Sequence, residues 1–146
     1  MKYYAVIDTN VLVSALLKWT SVPGDITAHV LTGSIIPLLN DAIMAEYREV
    51  LGRAKFRFPK EAVKIFLQGI ADRGVCVDTG STEYILPDSK DVVFYEVVME
   101  ARKKQGAYLV TGNIKHFPVR TFVVTPREML DIIERSEGGN EGGSLK

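Results

Sequence analysis

The stretch Tyr3-Tyr4-Ala5-Val6-Ile7-Asp8-Thr9-Asn10 decides the fold of this chain. Its first five residues are apolar or aromatic, so they predict a buried parallel strand over Tyr3–Ile7. The strand stops on an acid, which places the Asp8 carboxylate at the sheet edge where open α/β sheets bind ligands. Because an unpaired buried charge is costly, we expect Asp8 to have a partner such as a metal ion.

Length and composition are those of one ordinary globular domain. The chain has 146 residues, of which 47% are hydrophobic and 25% are charged, enough to bury a sizeable core. The net charge is +0 and the pI is about 6.7. A protein that binds long nucleic acid mainly through electrostatic attraction usually has a clear excess of positive charge, and this chain has none. It leaves room for an enzyme that holds a few nucleotides through bound cations and a local basic patch.

The single cysteine, Cys76, cannot form an intramolecular disulfide, which fits a reducing compartment and predicts a cytoplasmic protein. It lies between two valines in a predicted strand, so we expect a small buried hydrophobic residue. No apolar stretch reaches the ~20 residues that a membrane span needs, and no signal peptide is recognisable. We therefore expect no association with a membrane.

Strand and helix patterns alternate along the rest of the chain. Further strands are predicted at Ile35–Leu39, Val75–Val77, Ala107–Thr111 and Thr121–Val124, and helices at Val11–Leu17, Ile26–Gly33, Ala42–Ala54, Glu61–Arg73, Ser89–Gln105 and Pro126–Glu134. This alternation predicts an α/β fold, a central parallel sheet of about five strands with helices on both faces. We expect one domain over residues 1–135 and a disordered glycine-rich tail over residues 136–146.

The helix over Ala42–Ala54 carries an acid beside its apolar stripe. Helical periodicity places Glu46 at the edge of that stripe, where a carboxylate can look into a cleft. A solvated helix carboxylate is an equally good interpretation. Glu49 is turned further toward solvent, where it can pair with Arg53 four residues later.

Two acids stand at the start of the long helix, in Asp88-Ser89-Lys90-Asp91. The spacing is that of a capping box, so both acids have a use at the helix N-terminus. Asp91 projects nearer the apolar stripe of the helix than Asp88 does. Asp91 is therefore the candidate ligand, and Asp88 the candidate cap.

Thr111-Gly112-Asn113 follows the fourth strand and repeats the pattern of the first strand's end. Glycine permits a close backbone approach, although a plain strand-to-loop turn would also use this pair of residues. Taken together, Asp8, Glu46, Asp91 and Asn113 are all oxygen ligands, which suit Mg²⁺ or Mn²⁺ better than zinc. Such a site suits hydrolysis of a phosphodiester.

With these motifs the sequence resembles the PIN domain, named for the PilT N-terminus, over roughly residues 3–133. The resemblance is carried by Val6–Val11, Glu46–Leu51, Pro87–Asp91 and Leu109–Phe117. Within the family it is similar to the VapC-type toxins of toxin–antitoxin pairs. The resemblance implies a ribonuclease whose metal ligands are Asp8, Glu46, Asp91 and Asn113.

The fourth of those positions is often aspartate in the family, so Asn113 departs from the fully acidic pattern. The missing charge should weaken binding of a second cation, and we expect one firmly held metal.

The resemblance also implies supporting roles and partners. Thr9 and Asn10 would hold Asp8 and the nearby loops, and Thr111 would position substrate or water. Lys115 would contact a phosphate, although a solvated lysine fits as well, and His116 beside it fits a packed or capping residue. The substrate would be single-stranded or looped RNA. An antitoxin protein and a homodimer are expected by analogy.

The loop between the third and fourth helices is basic and aromatic. Its aromatic residues Phe56 and Phe58 interleave with four cations, a pattern that could contact phosphates and stack on bases; the cations are Arg53, Lys55, Arg57 and Lys60. A solvated loop with its rings tucked into the core explains the pattern equally well.

The main alternative function is a catalytically weak or inactive PIN-fold module that binds RNA, for which Asn113 is the best argument. A phosphatase with a nucleophilic aspartate at the end of a strand is disfavoured. Such enzymes have a second acidic residue two positions after the first, and that position is Asn10 in this chain. A dinucleotide-binding fold is weaker still, since no glycine-rich fingerprint follows the first strand.

Overall fold

A computed structural model of the chain describes residues 2–79, residue 86 and residues 91–144, with side chains through residue 136. The strands are β1 (Tyr3–Ile7), β2 (Ile35–Leu39), β3 (Val75–Cys76), β4 (Ala107–Val110) and β5 (Val123–Val124). The helices are α1 (Thr9–Leu17), α2 (Val22–Thr32), α3 (Asp41–Leu51), α4 (Lys60–Arg73), α5 (Val92–Ala101) and α6 (Pro126–Ser144). The fold is the predicted α/β architecture.

The five strands form one parallel sheet in the order β3-β2-β1-β4-β5. Successive residues of a strand point to opposite faces of the sheet, and Ala5, Val6 and Ile7 of β1 are all buried. Both faces of the central strand are therefore covered, which is why its sequence is a continuous apolar run.

Local capping explains where several helices begin. Asn40 caps α3, because its Oδ1 accepts a hydrogen bond from the Ile43 N–H at 2.8 Å. Ser21 caps α2 by accepting a bond from the Gly24 N–H at 3.1 Å. The predicted start of α2 at Ile26 was too late, because proline is tolerated in the first turn of a helix and Pro23 does not interrupt it.

Other boundaries also differ from the prediction. Helix α1 begins at Thr9, directly after Asp8, rather than at Val11. Helix α3 ends at Leu51, and Ala54–Phe56 form a separate 3-10 turn. Helix α5 ends at Ala101. Its predicted first residues, together with the proposed cap Asp88, lie outside the described residues.

The prediction for Cys76 was wrong, because the residue is exposed. Strand β3 lies at the edge of the sheet and both of its residues are exposed, so its apolar sequence does not mark a buried strand.

The last helix continues to Ser144, beyond the predicted end at Glu134. The division into a domain and a disordered tail remains a prediction. In the described part of the chain, no helix is long and apolar enough to cross a membrane.

Candidate functional site

The C-terminal ends of β1 and β4 lie side by side, because the two strands pair with Ile7 opposite Val110. The Asp8 N–H continues this pairing with a 2.9 Å hydrogen bond to the Val110 carbonyl. Strands β2 and β3 lie on one side of β1, and β4 and β5 lie on the other. Such a switch in strand order opens a crevice at the carboxyl ends of the strands.

Asp8 stands at the bottom of this crevice with 5% of its surface exposed. Its Oδ2 accepts two hydrogen bonds, from the Thr111 hydroxyl at 2.7 Å and from the Asn10 amide at 3.2 Å. Thr111 is itself fully buried. The two donors fix the orientation of the carboxylate, which is the role expected of Asn10, whereas Thr111 was expected to position substrate or water.

The loop after β4 is tied to the loop after β1. The Gly112 N–H donates to Asn10 Oδ1 at 3.2 Å, and a Cβ on Gly112 would lie 3.4 Å from that oxygen. The Asn113 N–H donates to the Thr111 hydroxyl at 2.9 Å, which leaves Asn113 exposed at the rim of the crevice. A Cβ on Gly112 at 3.4 Å would make an ordinary van der Waals contact, so the two loops do not need glycine at this position in order to approach.

Helix α3 brings Glu46 to the crevice, where the residue is half-buried. The neighbouring Tyr47 is 1% exposed, and its hydroxyl donates a hydrogen bond to the Ile7 carbonyl, the last of β1. This bond joins the helix that carries Glu46 to the strand that delivers Asp8. The two carboxylates therefore have a defined separation.

Asp91 lies immediately before α5, and its side chain is 14% exposed. His116, from the 3-10 turn Ile114–His116, places Nδ1 3.2 Å from Asp91 Oδ2. The sequence left His116 as a packed or capping residue. The structure instead pairs it with a candidate metal ligand.

These side chains line one cleft of about 320 Å³, here called the acidic cleft. Its walls are formed by Asp8, Thr9, Asn10, Val13, Glu46, Val50, Arg53, Phe56, Asp91, Asn113 and His116. All four predicted ligands are among them. The cleft does not include Lys55, Arg57 or Lys115, so these three residues are not brought to it.

Electrostatics also couple the carboxylates of the acidic cleft. Burial raises the pKa of Asp8 from its ordinary value of 3.8 to about 6, and the hydrogen bond from Thr111 acts in the opposite direction. Part of this rise comes from the negative charges of Asp91 and Glu46. Asp91 and Glu46 are thus both close enough to repel the charge of Asp8, and a cation bound beside Asp8 would relieve that repulsion.

Comparison with protein families matches residues 4–115 to the PIN domain, which is more than half of the chain. The chain belongs to the PIN-domain family. PIN domains are a family of nucleases, and this chain has the five-stranded parallel sheet expected of the fold. A comparison with curated proteins finds no match.

The oxygen donors of this PIN domain fit a divalent metal in their chemistry. The described residues contain no group of three acidic, histidine or cysteine side chains close enough to form a metal cage. Mg²⁺ does not need one, because it is usually held by one or two carboxylates, water and substrate phosphate. Thr9 lines the acidic cleft and is 4% exposed, and its buried hydroxyl finds no hydrogen-bond partner among the described residues. A hydrated cation would supply such a partner.

Sequence reasoning did not assign Arg53 or Phe56 to the acidic cleft, although both line it. Arg53 forms an ion pair with Glu49 at 2.7 Å, as its spacing predicted. It is also close enough to Glu46 to interact with its charge. The usable signal for Arg53 was its spacing from Glu46 and Val50, which puts the three on one face of the helix predicted over Ala42–Ala54, although α3 itself ends at Leu51.

Proposed function

We propose that this PIN domain is a metal-dependent ribonuclease that hydrolyses phosphodiester bonds in RNA. The observation that carries the proposal is the convergence of three carboxylates on one cleft at the strand-order switch. Burial, together with the negative charges of Asp91 and Glu46, raises the pKa of Asp8, and a divalent cation stabilises the ionised carboxylate in such a place.

Asp8, Glu46, Asp91 and Asn113 would hold Mg²⁺ or Mn²⁺. When bound, such a cation would neutralise charge on the phosphodiester and increase the acidity of an attacking water. Asn113 contributes a carbonyl oxygen and no charge, which supports a single firmly held metal.

Residues in and behind the acidic cleft orient these ligands. Thr111 and Asn10 hold Oδ2 of Asp8 through the hydrogen bonds at 2.7 and 3.2 Å. His116 faces Oδ2 of Asp91 and restricts the rotation of that carboxylate. Tyr47 keeps α3 against the end of β1. Conserving these contacts would preserve the geometry in which the acids meet a substrate.

Cleavage of single-stranded RNA in Mg²⁺ or Mn²⁺ tests the proposal, with Asp8→Asn as the inactive variant. The matched control is Asp25→Asn, an exposed acid on α2 that does not line the acidic cleft. We expect metal-dependent cleavage by the wild type and the control, and none by Asp8→Asn. If all three proteins bound RNA and none cleaved it, the proposed enzymatic activity would be overturned and the inactive RNA-binding module would be favoured.

We further propose that the nuclease is a toxin, silenced by an antitoxin protein that covers the acidic cleft, and that it forms a homodimer. The support is the similarity of its motifs to those of VapC-type toxins. Expression in a bacterial host should arrest growth for the wild type and not for Asp8→Asn. Equal growth of the two strains at equal protein levels would contradict the toxin role.

A further inference from the structure

A second and larger depression lies between α3 and α4, with a volume of about 670 Å³. It is here called the basic groove. Its lining is Asp41, Met44, Arg48, Leu51, Gly52, Arg53, Ala54, Arg57, Phe58, Lys60, Val63, Lys64, Leu67, Gln68 and Ala71.

Positive charge is concentrated in the basic groove, although the whole chain has a net charge of +0. Five of its lining residues are cationic and one is acidic, and these are Arg48, Arg53, Arg57, Lys60, Lys64 and Asp41. Arg53 is engaged by Glu49, whereas the other four cations form no ion pair with any described carboxylate. Uncompensated charge of one sign in a concave surface attracts a polyanion.

The floor of the basic groove is apolar, formed by side chains such as Met44, Leu51, Val63 and Leu67. A cationic rim over an apolar floor matches a ligand that is charged along one side and flat and apolar along the other. Single-stranded nucleic acid has this character, with its phosphates on one side and its bases on the other.

The basic groove and the acidic cleft meet at the C-terminal end of α3. Arg53 lines both depressions. Phe56 lines the acidic cleft and Phe58 lines the basic groove, and their rings stack with centroids 5.5 Å apart and planes 12° apart. The stacked rings are half-buried and join the two depressions, and the Lys55 ammonium lies over the Phe56 ring, 5.1 Å from its centroid.

The backbone between the two rings has an unusual conformation. Arg57 has φ of 57°, the left-handed region that a long side chain rarely adopts. This conformation directs Phe56 and Phe58 to the same side, where they stack, and leaves the Arg57 side chain in the basic groove. Backbone strain of this kind is often found at functional sites.

We infer that the basic groove binds the RNA strand next to the scissile phosphate, which would turn around the end of α3 past the stacked rings. This inference rests on the proposed ribonuclease function. Lys60, Lys64, Arg48 and Arg57 contact phosphates, and the bases lie against the rings and the apolar floor. An acidic protein segment would satisfy the charge as well, but the shared Arg53 and the stacked rings connect the groove to the site of cleavage.

The test compares Lys60→Ala/Lys64→Ala with Lys103→Ala/Lys104→Ala, a matched loss of two exposed lysines outside the groove. Affinity for a labelled 16-nucleotide single-stranded RNA is measured at several salt concentrations in the Asp8→Asn background. We expect the groove variant to bind about tenfold more weakly and its salt slope to fall by about 1.4.

The Arg57→Gly variant tests whether weaker RNA binding could be explained by unfolding of the protein. Glycine adopts positive φ without strain, so this variant should be no less stable than the wild type and yet bind the 16-nucleotide RNA more weakly. Equal affinity and salt slope for the groove and control variants would overturn the inference, while cleavage by the wild type would still support the ribonuclease. If the groove variant lost binding but the wild type cleaved no RNA, the groove would still be supported as an RNA-binding site and the proposed ribonuclease activity would be contradicted.

Discussion

Asp8→Asn should inactivate this PIN domain and, without metal, make it more stable. The pKa of Asp8 rises from 3.8 to about 6 in the folded protein, mainly because the carboxyl is buried. Since one pKa unit corresponds to 1.36 kcal/mol, keeping Asp8 ionised in the native state at neutral pH costs on the order of 3 kcal/mol. Asparagine has the same shape and carries no charge. Its carbonyl can accept the bond that Thr111 now donates to Oδ2.

The gain in stability should depend on pH. Because the pKa of Asp8 is higher in the folded state, the folded state holds the proton more tightly than the unfolded state. The contribution of Asp8 to the free energy of unfolding therefore falls as the pH rises from about 4 through about 6, and it levels off above that. Asp8→Asn lacks the contribution, so the two proteins should differ little at pH 4 and most at pH 7.

Urea unfolding in EDTA at pH 4, 5, 6 and 7 measures this difference. The ionised carboxylate also accepts stronger hydrogen bonds than asparagine does, so we expect a net gain of about 1–3 kcal/mol at pH 7. Asp25→Asn should change stability by less than about 1 kcal/mol. The reasoning would be refuted if Asp8→Asn were less stable than the wild type at pH 7. It would also be refuted if the two proteins differed in free energy of unfolding by the same amount at pH 4 and at pH 7.

Three further predictions concern the contacts around Asp8. Tyr47→Phe removes the bond to the Ile7 carbonyl, so it should cost about 1 kcal/mol in urea unfolding and lower kcat more than it changes KM; an unchanged kcat would contradict the positioning role. Thr111→Val removes a hydrogen bond that lowers the pKa of Asp8, so an NMR titration of the metal-free protein should find that pKa above 6 rather than unchanged. Calorimetric titration with Mn²⁺ should find one tight site in the wild type and stronger binding in Asn113→Asp; two tight sites in the wild type would show that Asn113 does not limit metal binding.

The sequence was sufficient for those features that depend on short-range patterns. Strands β1 and β2 occupy Tyr3–Ile7 and Ile35–Leu39, as predicted. A parallel strand covered on both faces needs a continuous apolar run, and that run is visible without the fold. The polar residue that ends such a run marks the sheet edge, so Asp8 and the Thr111–Asn113 loop were recognisable as neighbours of a site. Membership of the PIN-domain family confirmed the architecture.

Patterns of this kind failed where an element's surroundings matter. Val75–Val77 looks like a buried strand, but β3 is at the sheet edge and Cys76 is exposed. Periodicity indicates which face of a helix is apolar, and it does not say what covers that face or what borders it. Glu46 could therefore be assigned equally to solvent or to a cleft until the packing of α3 was known.

The chain by itself determined the elements and the chemical character of the site, since both are written in local runs of residue types. The tertiary structure decided which groups meet. Thr111 bonds to Asp8 although 103 positions separate them in the sequence, and Tyr47 bonds to Ile7 across a separation of 40. His116, which follows β4 in the sequence, contacts Asp91, which precedes α5. Strand order and helix packing set these contacts, and the same packing places the basic groove against the acidic cleft around the end of α3.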